Sequence, residues 1–208
     1  MYVENHLFDR IKIGTIAANI DALPEHHTLL EERLSELLQL RRGPLSESED
    51  AFRKACRDMM RIGSYKPTGR SKPASEYLLR TASEGNFPRI NNVVDINNYI
   101  SLKYLVPISL WDTDKIDADS WLFRTGNEDE NFVFNSTGQV IQLHDLVTGF
   151  AVKGSKETPI VTPVKDCQQT KTGAGTSNIM AAVYYPANWP DSPSLDEILE
   201  EFNELLTA

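Results

Sequence analysis

Cysteine is scarce in this sequence. Cys56 and Cys167 are the only two in 208 residues, and neither sits in a CxxC or Cys/His spacing. That excludes a disulfide framework and a zinc finger, and the expectation is two buried thiols in a reducing, cytoplasmic setting. No run of about 18 apolar residues occurs, so no membrane contact is expected. The opening MYVENHLFDR carries Glu4 and Asp9 without an apolar segment, unlike a secretory signal. There is no Walker A loop, no G-x-G-x-x-G and no G-x-S-x-G elbow. Histidine is limited to His6, His26, His27 and His144. His26 and His27 lie at a helix start without ligand spacing and read as surface residues. No metal and no cofactor are expected, and no catalytic residue can be assigned.

What is present is an acidic chain of net charge -9, with 40% hydrophobic and 25% charged residues. Such a balance suits a globular fold and disfavours a general polyanion binder. The charge is unevenly spread. Arg53, Lys54, Arg57, Arg61, Lys66, Arg70, Lys72, Arg80 and Arg89 face only Asp58, Glu76 and Glu84 in the same stretch. This local positive excess reads either as a nucleic-acid contact or as two solvated helical faces.

The apolar pattern predicts a strand over Ile11 to Ile20. Leu30, Leu34, Leu37 and Leu38 then mark a helix that ends at Gly43-Pro44. Ser46 and Glu49 have capping-box spacing and open a second helix to about Ile62, with Gly63 as its C-cap. After an exposed loop over 64–72, a third helix follows Pro73 and a fourth spans Asn92 to Tyr104. On that fourth helix Val93, Ile96, Ile100 and Tyr104 form an apolar stripe with Asn97 at its edge. Asn91, Asp95 and Asn98 lie opposite with Leu102. Asn is a poor helix former, so these carboxamides are either structural staples or ligand contacts. From Pro107 to Tyr185 the runs PISLW, SWLFR, NFVF, QVIQL, TPIVTP and NIMAAVYY read as short strands. Ser194 and Glu197 open a last helix.

The fold class predicted is α+β, with the N-terminal helices on one face of a largely antiparallel sheet. No linker separates two cores, so residues 1–208 read as one domain. Its parts are a helix-rich stretch over 1–86, a core over 87–186 and a C-terminal helix over 187–208.

Asn91-Asn92-Val93-Val94-Asp95, Asn98-Tyr99, Pro107, Asp112, Ile116, Arg124 and the turn from Gly126 to Glu130 follow one another here. Later comes Thr176-Ser177-Asn178-Ile179. In order and spacing these resemble the editing domain of the phenylalanyl-tRNA synthetase beta subunit, formed by its third and fourth modules. The layout resembles the free-standing version of that domain. The resemblance implies a tRNA-binding, editing-type protein that performs no aminoacylation alone. Two readings stay open: hydrolysis of misacylated aminoacyl-tRNA in trans, or a non-catalytic module binding an amino acid or a tRNA acceptor end. The implied partners are tRNA or aminoacyl-tRNA and a small amino-acid ligand.

The resemblance also locates a pocket. The family's His falls on Ser109, a helix Thr on Asn97, and the last-strand Glu near Ala182. An alanine can neither orient a water nor recognise a phenolic hydroxyl. Candidate substrate-binding residues are Asn97, Ser109, Asp112, Arg124, Thr172 and Thr176. Arg124 is expected either to bridge Asp112 or to meet a carboxylate or phosphate. Thr172 and Thr176 either contribute to the pocket or cap turns.

Overall fold

The chain runs β1 (Tyr2–Asn5), β2 (Ile11–Asn19), α1 (Thr28–Leu40), α2 (Glu47–Asp58), α3 (Ala74–Ser83), α4 (Asn92–Tyr104), β3 (Ile108–Asp112), β4 (Ser120–Thr125), β5 (Asn131–Val133), β6 (Val140–Gln142), β7 (Val147–Lys153), β8 (Lys156–Val161), β9 (Asn178–Pro186) and α5 (Leu195–Thr207). These elements come from a computed structural model that describes residues 2–208. The architecture is α+β, as the pattern predicts.

Two helix starts follow directly from local chemistry. The Glu49 amide donates to Ser46 Oγ at 3.2 Å, and the Ser46 amide donates to Glu49 Oε2 at 2.8 Å. Ser194 and Glu197 repeat the exchange at the start of α5. Each reciprocal pair satisfies two amides that the first helical turn leaves free. The end of α2 differs from the expectation of Ile62. It stops at Asp58, because the Arg10 guanidinium takes the carbonyls of Asp58, Met59 and Arg61 at 2.7–2.9 Å. Gly63, at φ 51°, lies beyond that end rather than capping it.

His27 corrects a second expectation. It is buried, accepts from the Leu30 amide at Nδ1 as the N-cap of α1, and donates from Nε2 to the Leu205 carbonyl at 2.7 Å. One acceptor and one donor nitrogen describe a neutral imidazole. It ties the start of α1 to the end of α5, whereas His26 is exposed.

The strands form three sheets rather than one. A four-stranded sheet has the order β1-β4-β7-β8, with β1 parallel to β4 and the other pairings antiparallel. An antiparallel sheet has the order β2-β9-β3, and β5 pairs with β6. Aromatic pairs join the two larger sheets. Trp111 of β3 meets Trp121 of β4 with ring centroids 5.2 Å apart, and Phe123 of β4 meets Tyr184 of β9 at 5.9 Å. Both contacts are edge-to-face, an arrangement worth about 0.5–1.5 kcal/mol beyond the area buried. Strands β1 and β7 are absent from the sequence pattern. In β7, Gly149 interrupts the side-chain alternation for a packing reason: a Cβ there would lie 2.7 Å from both Phe123 and Val161.

Helix α4 is the central helix. Both of its faces are buried, with Val93, Ile96 and Ile100 covered on one side and Asp95 and Leu102 on the other. It contacts α1, α3, α5 and β3. Its C-terminal carbonyls are held by a buried cation, since Arg41 donates from Nε to Leu102 O at 3.3 Å and from Nη2 to Lys103 O at 2.6 Å. The same guanidinium meets Glu49. A cation at a helix C-terminus also complements the macrodipole.

Candidate functional site

The carboxamides of α4 divide by role. Asn91 is the N-cap, accepting from the Val94 amide at 3.0 Å. Asp95 accepts from the Ile90 amide and from Arg89 Nε, each at 2.8 Å, which fixes the loop before the helix. Asn92 ties the helix start to the carbonyls of Pro24 and Glu25. Asn97 differs. Its Nδ2 reaches only Asn98 Oδ1 at 3.4 Å, and its buried Oδ1 has no partner among the described residues.

Strand pairing sets Ser109 of β3 directly opposite Ala182 of β9. Both are fully buried. Ser109 Oγ donates to the Thr162 carbonyl at 2.9 Å and lies 3.0 Å from Tyr184 Oη. A serine has one proton to give, so Tyr184 is the donor in the second bond. Burial pushes the Tyr184 phenol well above its usual range. Beside this relay lies Asp166, whose Oδ2 accepts from the Leu110 amide at 3.3 Å. Its Oδ1 is buried without a partner, and burial pushes the carboxyl up to about 7 against the opposing pull of the Leu110 amide. A serine sealed between two strands with its proton committed to a carbonyl is not positioned to attack an ester.

Asp112 and Thr176 come together as a loop clamp. Thr176 Oγ1 donates to Asp112 Oδ2 at 2.6 Å and accepts from the Gly173 amide at 2.8 Å. Asp112 Oδ1 accepts from the Asp114 amide at 3.0 Å, and Lys115 Nζ stands 3.5 Å from Asp112 Oδ2. Asp114 in turn holds Asn178 through its amide and side chain. The network pins the 171–178 loop against the end of β3. Thr172 lies in that loop, half-buried.

Arg124 does not bridge Asp112, which corrects the expected pair. It lies in β4, on the other sheet, and binds Glu130 and Glu157 at 2.6–2.8 Å. Its guanidinium carbon stacks 3.8 Å from the Phe150 ring centroid. Arg124 holds the Glu130 carboxyl below the usual carboxylate range.

Among the described residues, three of the surface cavities can be compared with these positions. A cleft of about 1010 Å³ separates α1 and α2 from α4 and α5, with Glu201 in its wall. Burial pushes the Glu201 carboxyl up, but Lys103, Tyr104 and Tyr99 more than offset this and leave it below the usual range. A second, also about 1010 Å³, runs beside α3. A third of about 500 Å³ lies at the end of the β2-β9-β3 sheet. None of Asn97, Ser109, Asp112, Arg124, Thr172 and Thr176 lines any of these three. Sequence reasoning missed Asp166 and Lys165. Neither has a local signal, since a single Asp or Lys in a VKDC stretch acquires meaning only from what the fold packs around it.

Among the described residues no group of three or more His, Cys, Asp and Glu is arranged to hold a metal ion, and no helix is long and apolar enough to cross a membrane. Cys56 and Cys167 are free thiols, both buried.

Comparison with known proteins follows the same stretch of chain. Residues 58–188 match the family model of the B3/4 domain. The beta subunit of phenylalanine–tRNA ligase from Staphylococcus aureus strain Mu50 is 31% identical over 102 residues, covering 48% of this chain and 12% of that subunit. The subunit from strain N315 matches to the same extent. The chain therefore spans only a small fraction of the curated relatives it resembles. The family match takes in well over half of the chain, from the end of α2 to the end of β9, and the chain belongs to the B3/4 domain family.

Proposed function

We propose that this chain binds the acceptor end of tRNA as an editing-type module and does not itself hydrolyse the aminoacyl ester. The observation that carries the reading is the match over residues 58–188 combined with the chemistry at the positions that the resemblance assigns to the pocket. Ser109 and Ala182 stand there, fully buried and opposite one another. The serine proton is spent on Thr162, and the alanine supplies no acid or base. Of the six candidate residues, Asn97 and Thr172 keep unused hydrogen-bonding capacity, and Asn97, whose buried Oδ1 would have to be uncovered, is the proposed contact to an amino-acid or ribose group. Residues 1–208 act together in this proposal, supported by a buried core that includes residues from Ile11 to Leu206.

The test pairs binding with chemistry. Mischarged tRNAs, beginning with tyrosine on the phenylalanine tRNA, are incubated with excess protein while binding is followed by gel shift. Binding with no loss of the ester beyond the protein-free rate is the expected result. Ester loss that is abolished in Asn97→Ala would replace the proposal with a hydrolase.

A further inference from the structure

We infer that the groove beside α3 takes an unpaired polynucleotide strand, with a base stacked on Tyr77 and phosphates against Arg70, Arg80 and Lys165. The inference rests on the acceptor-end reading above and narrows it to one strand and one surface.

The groove has a volume of about 1010 Å³, and its walls combine α3, the loop before it and the turn after β8. The positive excess over residues 53–89 does not reach it intact. Arg53 and Arg57 turn inward to Glu76, Arg61 pairs with Asp58, and Arg89 pairs with Glu31 and Asp95. Arg70 and Arg80 are left without a carboxylate among the described residues, and both line the groove. Lys165, from a distant part of the chain, joins them there. The one acid of the lining, Glu76, is nearly buried and already held by Arg53, Arg57 and Lys72.

Lys165 Nζ rests 3.5 Å from the Phe134 ring centroid, but in a chain of net charge -9 cations without a carboxylate gathered on one surface need a reason. They crowd one another: burial, then the nearby Arg70 and Lys171, push the Lys165 ammonium below its usual range. An anion between them relieves that repulsion. The aromatic component narrows the anion. Tyr77 is 53% exposed, with the Arg80 guanidinium carbon 5.5 Å from its ring centroid. An exposed ring flanked by a guanidinium is a stacking platform for a planar base, and the adjacent cations follow a phosphodiester backbone. An acidic peptide uses the cations but leaves the ring without a partner.

The experiment is fluorescence anisotropy on the full chain, with a short unpaired oligoribonucleotide and the same sequence as a duplex. A polyglutamate peptide serves as competitor, and intact tRNA is measured alongside. The proposal predicts that the unpaired strand binds and the duplex binds weakly. Tyr77→Ala should weaken strand binding about tenfold, within the range measured for loss of one stacked base, while Tyr77→Phe binds as wild type. Arg80→Gln should lower the slope of log affinity against log salt by about 0.7. Thermal melting of each variant checks the fold, and wild-type midpoints are expected because Tyr77 is exposed.

Undiminished binding of tRNA and strand in Tyr77→Ala and Arg80→Gln overturns this inference and leaves acceptor-end binding in place. Equal competition by polyglutamate also overturns it, because the groove is then a general anion site. Failure of wild-type protein to bind any RNA overturns both readings together.

Discussion

Replacing Asp166 by Asn should remove a loss of stability that wild type suffers between acid and neutral pH. In the folded chain burial pushes this carboxyl up to about 7, from an ordinary value of 3.8. The direction of the effect follows from proton counting. Between those two values the unfolded chain has lost the proton and the folded chain keeps it, so the folded state binds more protons. Stability from this group therefore falls as pH rises, by about 1.4 kcal/mol per pH unit, and levels off above about pH 7. Three units of difference amount to about 4 kcal/mol. Asn carries no titrating proton and removes the slope. Relative to wild type, Asp166→Asn should gain about 4 kcal/mol between about pH 4 and pH 8. Denaturant unfolding at several pH values measures this directly. Groups such as Glu130 and Glu201, whose carboxyls are held low, lose their contribution only as pH falls into the acid range. They are common to both proteins and cancel in the comparison. Parallel stability curves for the two proteins would refute the reasoning, since Asp166 would then ionise in the fold as freely as in the unfolded chain.

Two further substitutions probe the helical layer. Arg41→Met removes a buried guanidinium from two α4 carbonyls and from Glu49, and should cost about 3 kcal/mol by denaturant unfolding. A loss under about 1 kcal/mol would mean that water reaches those carbonyls. His27→Ala removes the cap of α1 and its tie to Leu205, and should cost about 1–2 kcal/mol. Amide exchange should rise at the start of α1 and the end of α5 together; a rise confined to α1 would contradict the tie.

The parts legible in the sequence are those whose cause is local. Ser46 with Glu49 and Ser194 with Glu197 carry both partners of each capping box within four residues, and both boxes form. The strand runs around β3, β4 and β9 were legible because apolar density alone marks them. Strand β7 was not, because Gly149 is there for the sake of Phe123 and Val161, neither of which is a sequence neighbour. From the sequence His27 reads as a surface residue for a similar reason: its partner Leu205 lies at the other end of the chain. Arg124 looked like a partner for Asp112, but the fold places them on different sheets and gives Arg124 to Glu130 and Glu157. The positive stretch was legible as an excess, but only the fold separates the arginines that turn inward to Glu76 from those that line the groove. Long-range pairing decides side-chain roles, and no local spacing encodes it.

The binding proposed for this B3/4 domain is to the single-stranded acceptor end of tRNA. The most direct measurement compares the dissociation constants of intact tRNA and of the same tRNA lacking its unpaired 3′ nucleotides, at one fixed salt concentration. Truncation should weaken binding tenfold or more, the loss expected for about one stacked base and its phosphates. Equal affinity for the two would contradict it and leave the domain with only a general attraction to the tRNA body.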